Sequence, residues 1–188
     1  MNPFEYLLVL AAVILGLAVS DLAMSANRLL DAGERIKWDW LAPLAAIVVF
    51  LKIVTQWWTW FSAAPIAKGL TFEMYLGVLS SAVLLFLLAA ASLPDQIGDG
   101  KFDLAEYYRR VQRRYWLIFA AHFAVSAVVN AWVQIALEAA RFAFSLAYLI
   151  VPGAIALGFI RVRWLHGVAL LALIGVYLAQ LFGHGLGQ

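Results

Sequence analysis

Six apolar runs organise the chain, each separated from the next by polar, Gly or Pro residues: about 4 to 28, 39 to 61, 72 to 93, 104 to 138, 141 to 160 and 164 to 183. A helix of roughly 20 residues crosses the hydrocarbon of a bilayer, and every run reaches that length. The pattern predicts an all-α integral membrane protein, one bundle of six transmembrane helices with short loops and no soluble domain. The breaks have the chemistry of turns: Asp31, Gly33, Glu34 and Lys37 in the first, Pro65 and Gly69 in the second, and Pro94 to Lys101 in the third. Small residues at four-residue spacing, Ala12, Gly16 and Ser20 on the first run and Gly77 with Ser81 on the third, predict close helix packing. Pro152 and Gly153 predict a kink or an interruption in the fifth helix.

Composition excludes the alternatives to a membrane. Of 188 residues, 65% are hydrophobic and 13% charged, against about 25% charged in ordinary globular chains. A cytosolic enzyme, a disordered chain and a nucleic-acid binder, which needs an exposed basic face, are all ruled out on that ground. The absence of Cys removes disulfides, thiol nucleophiles and Cys-ligated metals. His122, His166 and His184 share no paired spacing on one helix face, so neither haem nor zinc is expected.

The distribution of charge sets the orientation. Arg28, Arg35, Lys37, Lys101, Arg109, Arg110, Arg113, Arg114, Arg161 and Arg163 fall on one side of the six-helix scheme, and only Lys68 and Arg141 on the other. Lys and Arg are retained on the cytoplasmic side, so both termini are expected outside the cytoplasm, as in a bacterial inner-membrane protein. Glu5, with no Lys or Arg before it, argues that the first run is a retained span and not a cleaved signal. Trp38 and Trp40 open the second span and Trp57, Trp58 and Trp60 close it; Trp40 to Trp58 covers about 27 Å of helix, close to the hydrocarbon thickness.

Polar groups inside apolar spans are costly and point to protein interiors or hydrated paths. Asp21 and His122 each lie seven residues from the basic side, at an equal depth of about 10 Å, and are expected to approach one another. Asp21 also shares a helix face with Ser25 and Arg28, which offers it a local counter-charge. Farther out lie Lys52, Gln56, Ser80, Ser81, Asn130 and Gln134, with Glu138, Glu73 and Glu5 as candidate counter-charges for Lys52. His122, Ser126, Asn130, Gln134 and Glu138 form a four-residue ladder along the fourth span, either lining a path or hydrogen-bonding neighbouring helices.

Asp95, Asp99, Asp103 and Glu106, with Gly100 and Phe102 between them, fall at positions 1, 5, 9, 12, 6 and 8 of a twelve-residue stretch. That stretch resembles the calcium loop of an EF-hand, although Ile97 occupies a ligand position. The resemblance implies calcium at the third loop. A turn capped by Asp103, with Glu106 closing a capping box, is the alternative. Arg109, Arg110, Arg113 and Arg114 follow, a basic cluster that suits anionic lipid at the inner leaflet or another anion, or that acts only to hold the loop inside.

No nucleophile elbow, paired-His helix or phosphate-binding Gly-rich loop is present. The expected function is a small channel or transporter for an ion or small solute, with a pathway lined by the first four spans in a homo-oligomer. A membrane-embedded enzyme acting on a lipid or quinone, and a structural or assembly subunit of a membrane complex, are the alternatives.

Overall fold

The computed structural model describes residues 3–63, 71–98, 100–136 and 147–185. Within them run α1 (Pro3–Ala32), α2 (Leu41–Ala63), α3 (Phe72–Ser92), α4 (Leu104–Ala136), α5 (Ala147–Phe159) and α6 (Arg163–Gly185). The all-α class follows the apolar runs, and the differences lie at the ends. α1 extends one turn beyond its expected end because Leu29 and Ala32 are buried and Asn27 donates to Asp31 at 2.8 Å. Gly33, at φ +52°, then turns the chain, a conformation that costs glycine little. α2 starts two residues late, with Asp39 accepting from the Leu41 amide at 3.1 Å. Thr71 caps α3, accepting from the Met74 amide at 3.4 Å.

Among the described residues, four stretches are long and apolar enough to cross a membrane, Phe4–Arg35, Leu41–Ser62, Phe72–Ser92 and Arg163–Gly183, and the described part of α4 is not one of them. The corresponding stretch of α5, Leu149–Phe159, is shorter in its described part. α5 runs as helix through Pro152, so the expected interruption is absent.

α3 packs on α1, α2 and α4; α2 also meets α1, α4 and α6, and α5 lies on α4. The buried side of α1 is Leu7, Ala11, Leu15, Ala18 and Leu22, spaced to form one helix face. Gly16 is not on it, since a Cβ there would meet nothing within 4 Å. The packing seam expected from Ala12, Gly16 and Ser20 is therefore displaced to the neighbouring face. Gly77 is a true close approach, because a Cβ would collide with Val129 of α4.

The three odd-numbered connections meet at one end. Ile36–Lys37 (β1) pairs in parallel with Phe102–Asp103 (β2), with Ile36 opposite Phe102 and Lys37 opposite Asp103. This small pairing replaces plain loops because the 33–40 and 93–103 segments lie side by side and satisfy each other's backbone groups. Lys37 donates to Asp103 at 2.9 Å, Arg28 reaches the Asp95 carbonyl at 2.9 Å, and Arg163 pairs with Asp39. The ten expected basic residues thus belong to one end of the bundle.

Apolar side chains cover the outside as well as the core. Val9, Val13 and Leu17 of α1 are each 57% exposed, and Phe50, Leu87, Val128, Leu171 and Phe182 are exposed on other helices.

Candidate functional site

Five of the expected polar residues belong to the packed centre where α2, α3 and α4 meet. His122 of α4 is fully buried. Its Nδ1 lies 3.2 Å from Ser81 Oγ and 3.3 Å from the Ser81 carbonyl of α3. A carbonyl only accepts, so this geometry suits a proton on Nδ1 and leaves Nε2 as a bare lone pair. Nε2 is buried without a hydrogen-bond partner, and so is Ser126 Oγ one turn along α4. From α2, Lys52 donates to Gln56 at 2.7 Å and stands 5.0 Å from the Phe123 ring centre, near enough for its charge to act on His122.

Other expected residues are placed elsewhere. No direct hydrogen bond joins Asp21 to His122: the histidine turns to Ser81, and one Asp21 oxygen is buried without a partner. Equal depth is not enough, because α3 packs against both α1 and α4. Asp21 instead lies within electrostatic range of Asp95 and Arg28. Ser80 and Asn130 are exposed, not interior, because neither shares the buried face of its helix. Glu73 is exposed and its carboxylate interacts with Thr71 at the start of α3, away from Lys52. The Gln134 side chain and Glu138 lie outside the described residues.

The third loop spends its acids separately. Asp103 caps α4, accepting from the Ala105 and Glu106 amides at 2.8 and 3.1 Å as well as from Lys37. The Lys37 hydrogen bond, then the helix-start amides, hold its carboxyl below the usual range. Asp95 accepts from Ser25 at 3.4 Å and faces Arg28, whereas Glu106 pairs with Arg110 at 3.4 Å. Asp99 lies outside the described residues. Among the described residues, no three His, Asp or Glu side chains converge as a metal site. An open cleft of about 460 Å³ runs between Asp95, Lys101, Phe102, Glu106, Tyr107 and Arg110.

Sequence reasoning missed a buried network on the basic side. Trp116 Nε1 donates to His166 Nδ1 at 2.8 Å, with Tyr108 Oη 3.1 Å from the same nitrogen. His166 Nε2 lies 2.9 Å from the Ile160 carbonyl, which also accepts from Gln112 at 3.4 Å. Tyr108, Gln112, Tyr115 and Trp116 are spaced to form one buried stripe of α4, and that spacing was the available signal. The four Arg of α4 divide between two faces. Arg110 and Arg114 lie toward Glu106 and Tyr107, and Arg113 lies over Phe159 of α5, 4.7 Å from its ring centre.

The chain matches no protein-family model, no curated protein and no solved structure.

Proposed function

We propose that the chain is a six-span bacterial inner-membrane protein, with its basic end in the cytoplasm and both termini outside, that passes an ion or small solute through the polar centre between α2, α3 and α4. The observation that carries this reading is the His122 Nε2 lone pair, buried and unpartnered beside Ser126 and in electrostatic reach of Lys52. A buried polar group without a partner is costly and calls for an explanation, and a proton or small solute bound in turn is the one this reading supplies. The apolar outer faces of α1, α2 and α6 support the membrane part of the reading, because a water-soluble monomer rarely exposes so much contiguous apolar surface.

Purified protein in liposomes should conduct protons or a small ion. His122→Gln should abolish that flux while the protein remains folded, because the amide still donates toward Ser81 but no longer offers the titratable nitrogen. Wild-type liposomes without flux of any tested ion would remove the transport reading. Cysteines introduced at Gln188 and at Gly98 should react with impermeant reagents from opposite sides, Gln188 from the outside.

Assembly as a homo-oligomer is favoured by Ser80 and Asn130, exposed polar side chains on outer faces of α3 and α4 that lipid would leave unsatisfied. Disulfide cross-linking through Ser80→Cys should join copies of the protein; exclusively monomeric material in membranes would reject this assembly.

A further inference from the structure

Beyond the transport reading, but resting on its membrane setting, the corner where α4, α5 and α6 meet has the make-up of a headgroup site. Arg109 and Arg113 lie one turn apart on α4, and Arg113 stacks over Phe159 near the end of α5. Gln112 and His166 both hold the Ile160 carbonyl, so the turn carrying Arg161 is fixed beside the 109–113 turn of α4. Its position does not have to be created when a ligand binds. Among the described residues Arg28, Lys37, Arg110 and Arg163 have a carboxylate within ion-pair distance. Arg109, Arg113 and Arg161 do not, nor do Arg35, Lys101 and Arg114, and it is Arg109, Arg113 and Arg161 that the Ile160 turn gathers at this corner. Phe159, Val162 and Trp164 are exposed around the same turn, giving three free guanidinium groups an apolar and aromatic border. Guanidinium binds phosphate oxygens through a planar fork of N–H donors, and aromatic residues belong at the lipid interface.

We propose that Arg109, Arg113 and Arg161 bind the phosphate of an anionic phospholipid from the surrounding leaflet, with its acyl chains lying along Phe159 and Trp164. Charge complementarity selects the occupant: a zwitterionic lipid brings its own cation to the same three arginines and gains less.

The test is lipid retention by the full-length protein in detergent, measured by native mass spectrometry with added phosphatidylglycerol or phosphatidylcholine. Wild type should retain phosphatidylglycerol preferentially. Replacing Arg109, Arg113 and Arg161 together with Gln should lower the preference by about fivefold per arginine, on the order of a hundredfold in all. The charge-matched control, Gln at Arg35, Arg110 and Arg114, should keep it within about twofold of wild type. Equal loss in both triple variants, or no wild-type preference, would overturn the site. Arg161→Gln alone, in an exposed turn, should cost about fivefold and serves if the triple variant does not fold; an unchanged preference in it would also overturn the site. Excess inorganic phosphate should leave the lipid in place, and displacement would overturn the assignment to lipid. Failure of the membrane setting has a different signature, release of the protein from membranes by alkaline carbonate without detergent.

Discussion

Trp116 donates its indole N–H to Nδ1 of His166 at 2.8 Å, and this one bond fixes the chemistry of the histidine. Indole nitrogen only donates, so Nδ1 must present a lone pair, and the ring proton resides on Nε2, which donates to the Ile160 carbonyl at 2.9 Å. Tyr108 and Trp116 on α4, the end of α5 and the first turn of α6 are thereby joined through a single imidazole.

Unequal costs follow from that arrangement. Tyr108→Phe should destabilise by about 1 kcal/mol, because Trp116 still serves Nδ1. His166→Ala should cost roughly 3 kcal/mol, since it opens a cavity, takes the acceptor from the Tyr108 hydroxyl and leaves the indole N–H only its longer bond, 3.2 Å, to Tyr108 Oη. Thermal or denaturant unfolding in detergent measures both; equal costs would mean that the imidazole is not the node.

Two glycines of similar sequence setting should behave in opposite ways. Gly77→Ala forces a methyl into Val129 and should cost about 1–3 kcal/mol; adding Val129→Ala should recover most of it. Gly16→Ala meets open space and should be neutral or stabilising by up to about 1 kcal/mol through helix propensity. The comparison is an unfolding series on the four proteins. A destabilised Gly16→Ala variant would place that face in a contact the bundle does not otherwise have.

That pair also marks where the sequence stopped being legible. Apolar runs located the helices, and the Lys and Arg distribution located the basic end, because length and charge placement are properties of the chain itself. Helix rotation is not, when both faces are apolar: Val9, Val13 and Leu17 look outward while Leu7, Ala11 and Leu15 look inward, with little in residue type to tell them apart. Ser80 and Ser81 are adjacent in sequence, yet only Ser81 reaches His122. The His166 network was hidden for a related reason, since its α4 partners Trp116 and Tyr108 lie 50 and 58 residues away in the chain. Asp103 was legible because a cap is local.

Asp103 makes the acid limb of stability a test of the joined connections. Its carboxyl is held below its ordinary value by Lys37 first and by the helix-start amides of Glu106 and Ala105. A lowered folded-state pKa stabilises above the unfolded value, near pH 4, and that contribution is lost as pH falls through the folded value. Asp103→Asn keeps a capping side chain and removes the charge. The variant should melt below wild type at neutral pH, and the two midpoints should converge as pH falls from about 5 to 2. Parallel curves across that range would detach Lys37 and Asp103 from the stability of the basic end.

Lys52 gives the sharpest separation of path from scaffold. It donates to Gln56, which is 8% exposed, and its charge faces the Phe123 ring and acts on His122. Lys52→Met keeps most of the stem and deletes the charge, leaving the Gln56 oxygen without its donor, at a cost of about 1–3 kcal/mol. Adding Gln56→Leu removes the stranded amide, so the double variant should regain much of that stability. Flux should not follow stability. If the ammonium sets the electrostatics along the route past His122, both the single and the double variant should show altered ion selectivity or rate in liposomes. Recovery of wild-type flux together with stability in the double variant would make Lys52 a packing residue and move the pathway away from α2.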